Sequence, residues 1–388
     1  MRVISIPNRT TAAAEIRAVG ADEPGCRIMA PKAVFRVVKI SGLTPVQANI
    51  LKQEMLAKGG EAAVSRGVVN HSVERTDVLL MGTLRQYDEL LARLRMQPFG
   101  LARLGEELRR VLENAEGRRP YCLDCRGRRL TIGERTLVMG ILNVTPDSFS
   151  DGGRYSTLEA ATARALAMVE EGADIIDVGG ESTRPGHTPV DAAEELRRIL
   201  PVLEAVVPQV PVPVSVDTTK AAVARAALEA GAHIINDQWA LRDPEMAALA
   251  ASAGAPVVLM HNRRDTEYRD LMGDIVAYFE ERTAAALAAG IPPEHIIIDP
   301  GIGFGKTPEQ NREVMRRLEE LNSLGFPVLI GTSRKSFIGY TLNLPVEERL
   351  EGTAATVAVG IMKGADIIRV HDVKEMVRVA RMVDALKR

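Results

Sequence analysis

The last two-thirds of this sequence predict an α/β fold, a TIM (β/α)8 barrel, preceded by a smaller α+β domain. Eight short apolar runs each end at a polar or charged residue, and longer stretches with helical spacing separate them. Runs rich in Ile, Val and Leu are typical of strands buried on both faces of a parallel sheet. Eight strand–helix units in about 250 residues are the number and size of such a barrel, whose chemistry takes place at the strand ends.

The eight runs also indicate where a site would lie. They are LVMGILN (137–143), DIIDVGG (174–180), PVSVDT (213–218), HIIND (233–237), PVVLMH (256–261), HIIIDP (295–300), PVLIGTS (327–333) and DIIRVH (366–371). The candidate residues at their ends are Asn143, Asp177, Asp217, Asn236, Met260, Asp299, Ser333, Arg369 and His371. An open doubly wound sheet is the alternative fold, but its dinucleotide-binding form requires a Gly-x-Gly-x-x-Gly turn after the first strand. The first strand here leads into the long polar loop NVTPDSFSDGG, which favours the barrel.

Composition is typical of a globular enzyme. Of the 388 residues, 46% are hydrophobic and 26% are charged, and the net charge is only −2. This balance predicts neither a nucleic-acid partner nor a membrane partner. No apolar run approaches the roughly 20 residues that span a bilayer. Because the N-terminus lacks a secretory signal and three cysteines cannot build a disulfide framework, we expect a cytoplasmic protein.

Patterning divides the chain into three segments. Residues 1–115 are predicted to form an N-terminal α+β domain of unknown role, 116–136 a linker with a hairpin capping the bottom of the barrel, and 137–388 the barrel. Within the first segment, strands are expected at 34–40, 61–69 and 76–83, and helices at 44–60, 84–96 and 100–115. The polar, Ala- and Gly-rich stretch 1–30 is expected to be an arm or partly disordered.

Polar loops follow four of the barrel strands. The first carries Phe149 among Asp, Ser and Gly, a composition that suits a loop closing over a substrate but equally a solvated turn. Arg184, in the second loop, is placed to meet an anion. Lys335, Arg369 and His371 follow strands seven and eight, the usual phosphate corner of such barrels, and predict a pocket for a polyanion such as pyrophosphate. The ordinary pKa of histidine makes His371 a candidate proton donor.

Acidic residues stand at the centre of the predicted ring of strand ends. A carboxylate can accept two parallel N–H bonds from a flat heterocycle, which favours recognition by Asp217 and Asp299, with Asn236 adding a donor and an acceptor. Structural roles are favoured for Asp177 and Asp237. The alternative is that all these acids only pair with Arg184, Arg369 or Lys335 and have no part in catalysis.

Three other features suggest chemistry more weakly. Lys306 ends a Gly-rich segment that resembles a P-loop but is one residue short, and Phe304 in that segment fits better as a platform for a ligand. Cys122 and Cys125 lack the further ligands that a structural zinc site needs, so we expect an incidental pair. His261 is expected to be a core or rim histidine.

These residues belong to motifs that resemble the dihydropteroate synthase family over about 137–388. The motifs are MGILNVTPDSFSDGG, DVGGESTRPG, PVSVDT, IIND, IIIDPGIGFGK, GTSRKSFIG and RVHDV, in family order. The resemblance implies a transferase of folate biosynthesis that is a target of sulfonamides. Such an enzyme condenses 6-hydroxymethyl-7,8-dihydropterin pyrophosphate with p-aminobenzoate, giving 7,8-dihydropteroate and pyrophosphate. It also implies Mg²⁺ as cofactor and a homodimer formed through the barrel.

The resemblance also implies roles for individual residues. The catalytic set would be Asp217, Lys335, Arg369 and His371. The pterin would contact Asp217, Asn236, Met260, Asp299, Phe304 and Lys335. Pyrophosphate would contact Asn143, Arg184, Arg369 and His371, with Asn143 also binding the metal. The p-aminobenzoate site would contain Phe149, Thr183, Arg184, Pro185, Phe304 and Ser336.

Two loops depart from the family pattern, and two other functions remain as alternatives. The segment 261–265 is unusually basic, and Gln238-Trp239 is unusual after the fourth strand. One alternative is a methyltetrahydrofolate-dependent corrinoid methyltransferase, which has no pyrophosphate to bind. The other is a non-catalytic pterin-binding module. The cationic corner around Lys335, Arg369 and His371 favours the synthase over both.

Overall fold

The structure, a computed structural model, describes residues 1–144, 154–181 and 190–387, without the side chains of 154–157. The chain forms two compact units, Met1–Arg118 and Arg119–Arg388. The boundary lies close to the expected end of the first domain at residue 115. Within the described ranges, no helix has the length and apolar character needed to cross a membrane.

The N-terminal unit is built on a three-stranded antiparallel sheet in which β3 lies between β1 and β2. Its strands are β1 (Phe35–Leu43), β2 (Glu61–Val64) and β3 (Thr76–Thr83), and its helices are α1 (Arg9–Ala18), α2 (Glu23–Ala33), α3 (Pro45–Ala57), α4 (Leu84–Leu94) and α5 (Leu101–Asn114). The second strand is shorter than expected, because a 3-10 helix at Arg66–Val68 follows it.

The expectation of an arm at 1–30 is wrong, since α1 and α2 occupy this stretch. Each helix begins at an N-cap that satisfies an otherwise unpaired backbone N–H: the side chain of Asn8 accepts from Thr11 N, and that of Asp22 from Gly25 N. Ala12 and Ala30 are buried in the core of the unit, which explains why small residues suffice to hold these helices.

The barrel prediction is confirmed: one parallel sheet contains eight strands in the order β11-β10-β9-β8-β7-β6-β13-β12. A parallel bridge between Ile298 and Val328 joins the two ends of this series. The strands are β6 (Leu137–Asn143), β7 (Ile175–Gly179), β8 (Val214–Asp217), β9 (Ile234–Asp237), β10 (Val257–Met260), β11 (Ile296–Asp299), β12 (Leu329–Ile330) and β13 (Ile367–Val370).

Helices alternate with these strands and cover the barrel from outside. Within the described residues they are α6 (Arg154–Glu171), α7 (Ala192–Val206), α8 (Ala221–Glu229), α9 (Met246–Ala253), α10 (Leu271–Ala288), α11 (Pro308–Arg316), α12 (Ser336–Leu342), α13 (Leu350–Met362) and α14 (Val373–Lys387). Short 3-10 helices occupy Pro293–His295, Leu318–Leu324 and Val346–Glu348. The main core lies between strands and helices, as continuous apolar strands require.

A separate core fills the bottom of the barrel. The hairpin of β4 (Tyr121–Cys125) and β5 (Arg128–Ile132) contributes Leu123 and Ile132, which cluster with the first residues of the barrel strands, such as Ile175 and Ile297. Cys125 is buried in this cluster, whereas Cys122 is exposed, and neither forms a disulfide. The two cysteines therefore lie at the end of the barrel opposite the C-terminal ends of its strands, where the candidate site residues stand.

Candidate active site

Four polar residues converge where the barrel strands end. Asp177, Asp217, Asn236 and Asp299 stand at or near the ends of β7, β8, β9 and β11, and none is more than 7% exposed. Asp217 and Asn236 are direct Cα partners on neighbouring strands. Because parallel strands deliver their C-terminal ends to one face, side chains far apart in sequence share this buried region.

Arg369 joins two of these acids. Its Nε lies 2.6 Å from Asp177 Oδ2, and its Nη2 lies 2.8 Å from Asp217 Oδ2. The same Asp177 oxygen accepts from Asn236 Nδ2 at 3.1 Å. The pairing with a basic residue that the structural alternative requires thus occurs for Asp177 and Asp217. Such pairing does not exclude a part in catalysis, and it shows that Arg369 contacts these acids as well as the predicted polyanion pocket.

Asp217 is an acid of this cluster whose pKa is raised. Burial raises its pKa to about 7 and the neighbouring Asp177 acts in the same direction, whereas Arg369 and a hydrogen bond from Gln238 lower it. The Gln238 Nε2 lies 2.8 and 2.9 Å from the two carboxylate oxygens. Burial therefore disfavours the charged form of Asp217, and the contacts with Arg369 and Gln238 favour it.

The two acids assigned structural roles differ from each other. Asp237 forms a turn, with its oxygens accepting from Trp239 N at 2.8 Å and Leu241 N at 2.7 Å, which supports a structural role. Asp177 is fully buried, and its Oδ1 has no hydrogen-bond partner among the described residues. An unpaired buried carboxylate oxygen is costly, so Asp177 Oδ1 is an acceptor that the described residues leave unsatisfied.

Asp299 and the loop after it form one wall. Asp299 Oδ1 accepts from Gly301 N at 2.7 Å, and burial raises the pKa of this carboxyl. Gly301 has a φ of +67°, and a Cβ there would lie 2.0 Å from His261 O, so only glycine fits. Met260, at the end of β10, is 4% exposed and packs beside this turn.

Lys306 connects this loop to His261 and stabilises its conformation. Its buried Nζ lies 2.9 Å from His261 Nδ1 and donates to the carbonyls of Gly301 and Phe304, each at 3.1 Å. Burial lowers the pKa of Lys306 to about 7 and that of His261 to about 2. His261 is thus a neutral core histidine, as expected. The structural role of Lys306 has no signal in the sequence, because the partners of its ammonium become neighbours only in the fold.

Lys335 and Phe304, on the loops after β12 and β11, contact each other. The Lys335 ammonium lies 4.2 Å from the centroid of the Phe304 ring, a cation–π contact. Ser336, the first residue of α12, is exposed next to Lys335. The preceding Arg334 has a φ of +56° and pairs with Asp372, its Nε 3.0 Å from Oδ2, so this loop is held in an uncommon backbone conformation.

His371 is neutral in this structure, which corrects the expectation of a pKa near neutrality. Burial lowers its pKa to about 3, and the neighbouring Arg369 lowers it further. Its Nδ1 lies 3.0 Å from Ser333 Oγ, which also accepts from the backbone N of His371 at 3.2 Å. Ser333 therefore fixes the orientation of the imidazole.

Several expected site residues lie outside the described residues, namely Phe149, Thr183, Arg184 and Pro185. Asn143 ends β6 and is half-buried at the rim. Next to the second loop, Lys220 Nζ lies 2.6 Å from Glu181 Oε2 and 2.5 Å from the buried Glu195 Oε2. The sequence gives no signal for this ionic cluster, because Glu195 comes from α7, and an acid on a helix is normally solvated.

Fold and site together define a (β/α)8-barrel enzyme whose buried acids can recognise a flat ligand rich in N–H groups. The sequence model of the family described as pterin binding enzyme matches residues 139–371. The chain belongs to the dihydropteroate synthase family of such enzymes, a family of transferases.

Three proteins illustrate this membership. The chain is 54% identical over 263 residues to dihydropteroate synthase of Clostridium beijerinckii, covering 67% of this chain and 98% of that protein. A solved structure of Xanthomonas albilineans dihydropteroate synthase with 4-aminobenzoic acid has a TM-score of 0.67 at 47% identity, covering 69% of this chain and 99% of that one.

The third relative also covers the N-terminal unit. It is a Halobacterium salinarum protein named as a probable bifunctional folylpolyglutamate synthase/dihydropteroate synthase. Identity is 46% over 373 residues, which cover 94% of this chain and 44% of that protein. The match therefore includes most of the unit Met1–Arg118, which the shorter bacterial relatives do not explain.

Proposed function

We propose that this chain condenses 6-hydroxymethyl-7,8-dihydropterin pyrophosphate with p-aminobenzoate to form 7,8-dihydropteroate and pyrophosphate, in the cytoplasm. The observation that carries the proposal is the buried group of Asp177, Asp217 and Asn236 around Arg369 at the strand ends. This group offers carboxylate and amide acceptors to a heterocycle and lies in a chain 54% identical to a dihydropteroate synthase.

The pterin contacts are proposed for the centre of the barrel. Asp217 and Asp299 are buried acceptors for the N–H edge of the ring, and the buried Asn236 lies beside Asp217 and donates to Asp177. Met260 supplies an apolar wall. Phe304 and Lys335, which contact each other, bound the site from the loops after the neighbouring strands β11 and β12. The complete proposed pterin set is Asp217, Asn236, Met260, Asp299, Phe304 and Lys335.

Pyrophosphate is proposed to bind beside Arg369 and His371, with Arg184 and Asn143. The polyanion would favour the protonated form of His371, since an adjacent negative charge raises a histidine pKa. His371 could then supply a proton to the departing group, and Ser333 would hold the imidazole in place. Two acids hold the Arg369 side chain in place in the absence of a ligand. Little conformational entropy of this side chain is therefore lost when the substrate binds.

Magnesium is proposed as the cofactor. The described residues contain no cluster of three or more His, Cys, Asp or Glu that could hold a metal alone. Asn143 offers one amide oxygen at the rim, which fits an ion that brings most of its ligands as substrate oxygens and water. When bound, the ion would neutralise charge on the leaving pyrophosphate.

The p-aminobenzoate site is proposed at the outer loops, with Phe149, Thr183, Arg184, Pro185, Phe304 and Ser336. Of these, Phe304 and Ser336 are described, and both adjoin Lys335. Loss of pyrophosphate from the pterin methylene would leave a cation-like transition state, which the Asp217 carboxylate stabilises. The aniline nitrogen then forms the new C–N bond and releases its proton, without a nucleophilic side chain.

A homodimer through the barrel is also proposed. Large apolar side chains are exposed on two neighbouring helices, with Tyr340 at 74% and Leu342 at 48% on α12 and Met362 at 55% on α13. Exposed large apolar side chains on the outer helices of the barrel support an association surface on this side of the unit.

The deciding experiment measures pyrophosphate release by the full chain with both substrates and Mg²⁺. Release that requires p-aminobenzoate supports the synthase. A folded protein that transfers a methyl group from methyltetrahydrofolate would instead be the corrinoid methyltransferase. Pterin binding without either reaction would leave the non-catalytic module. In the synthase, Lys335→Ala is expected to lower turnover, and Lys374→Ala on α14 serves as a control for loss of a lysine outside the site.

A further inference from the structure

The turn after β9 places an amide against Asp217 that none of the assigned roles explains. Gln238 is 5% exposed, although glutamine is normally a surface residue. The turn that carries it is fixed: Asp237 caps Trp239 N and Leu241 N, and Ala240 and Leu241 both have positive φ angles of 50° and 61°. The position of Gln238 is therefore set by the backbone.

In the contact between Gln238 and Asp217, the glutamine amide is the hydrogen-bond donor and the carboxylate is the acceptor. An ionised carboxylate only accepts hydrogen bonds, so the amide nitrogen must face it, and Nε2 lies 2.8 and 2.9 Å from the two oxygens. Arg369 adds one further donor to Oδ2. A carboxylate has about four acceptor positions, so these two donors leave room for the N–H groups of a ligand.

We propose that Gln238 is a positioning residue for the reaction, whose amide holds both oxygens of Asp217 and keeps this carboxylate charged and oriented toward the pterin. The inference rests on the proposed function, in which Asp217 accepts from the pterin. Gln238 acts through Asp217 rather than on the reacting atoms.

The surroundings of Asp217 explain why a neutral donor matters here. The charged groups that act on it are Arg369 on β13, Asp177 on β7 and Glu195 on α7, with the acid Asp299 on β11 acting on the same Arg369. Two carboxylates thus oppose ionisation of Asp217, and the one cation that pairs with it among the described residues, Arg369, is shared with Asp177. The Gln238 amide is the second donor that favours the charged form.

The test measures the binding of pteroic acid by calorimetry between pH 5 and 8, which needs no turnover. Affinity of the unaltered protein is expected to fall as Asp217 is protonated. In Gln238→Met, the pH of half-maximal affinity is expected to rise by about one unit, because loss of a donor to the charged form raises a carboxyl pKa. Gln238→Glu, which keeps the shape but adds a like charge, is expected to move it in the same direction.

The controls separate the possible failures. Gln86→Met, which removes an amide from the N-terminal unit, should leave the pH dependence unchanged. Lower affinity at every pH with an unmoved midpoint in both Gln238 variants would overturn the positioning role. Gln238→Glu decides the question if Gln238→Met does not fold. Absence of pteroic acid binding by the unaltered protein would instead contradict the proposed function itself.

Discussion

Arginine–carboxylate pairs in the two units have similar lengths but very different surroundings. In the N-terminal unit, Arg85 Nε lies 2.9 Å from Glu89 Oε1, and the two side chains are 48% and 43% exposed. In the barrel, Arg369 Nε lies 2.6 Å from Asp177 Oδ2, with exposures of 16% and 0%. The distances alone would make the pairs equivalent, but burial makes the second far stronger electrostatically and far more costly to break.

This difference separates surface chemistry from site chemistry. Most ion pairs described in the N-terminal unit join solvated side chains, as in Arg9–Asp88 and Arg17–Glu23. Such pairs contribute little to stability and do not shape a pocket. The barrel instead buries charge at its strand ends, where a ligand can replace water. The charged pairs of the two units are therefore expected to differ in their effect on stability and on ligand binding. Four experiments can test this difference.

The largest expected effect is that of Arg369→Met. Removing this cation leaves Asp177 and Asp217 buried without their shared partner, and breaking a buried pair in this way costs about 3–5 kcal/mol. Turnover should fall at least about 100-fold, since an electrostatic contact in the site is lost. Thermal unfolding and pyrophosphate release measure the two effects. A variant of unaltered stability would show that the cluster is more solvated than the structure indicates.

The second effect concerns pH and Asp217. Its pKa of about 7 lies above the ordinary value of 3.8, so kcat/KM should fall with acidification below about pH 7. The stability contribution has the opposite sign: a raised carboxyl pKa stabilises the folded state below pH 3.8, and this stabilisation is lost as the pH rises through 7.

Asp217→Asn separates these two consequences. The variant should lose turnover, because an amide cannot stabilise a cation as a carboxylate does. Its unfolding temperature at pH 8 should equal or exceed that of the unaltered protein, since the cost of a buried charge is removed. A flat rate profile down to pH 5.5 in the unaltered protein would contradict the assignment.

A smaller effect is expected from removing the N-terminal unit. A fragment that begins near Arg118 retains the complete barrel, its two cores and the hairpin at its bottom. We expect it to fold and to keep the turnover number of the full chain. Circular dichroism and the pyrophosphate assay test this together. A folded fragment without activity would mean that the unit Met1–Arg118 takes part in the reaction.

The smallest effect is expected for Arg85→Met, the matched control for Arg369→Met. Loss of the exposed pair with Glu89 should change the free energy of unfolding by less than about 0.5 kcal/mol, and turnover should be unaffected. If Arg85→Met and Arg369→Met changed the free energy of unfolding and the turnover equally, the proposed difference between exposed and buried ion pairs would be wrong. Urea unfolding of both variants at the same pH makes the comparison direct.

The barrel was predictable because its signal is local. Each strand is a continuous apolar run, as in HIIIDP for β11, and such a run is recognisable without knowing its neighbours. The stretch 1–30 was mispredicted because α1 and α2 are held by Asn8, Asp22 and small alanines in a core formed with distant residues. Short polar caps and alanines give a weak signal in the absence of that core.

The sequence by itself determined the number of strands, the face on which polar residues gather and the identity of most candidate ligands, since these follow from residue type and periodicity. Tertiary structure alone decided which charges share a partner. That Arg369 lies between Asp177 and Asp217, that Gln238 faces Asp217, and that His371 is neutral depend on distance and burial. Electrostatic energies vary with both, and neither is encoded in the spacing of residues along the chain.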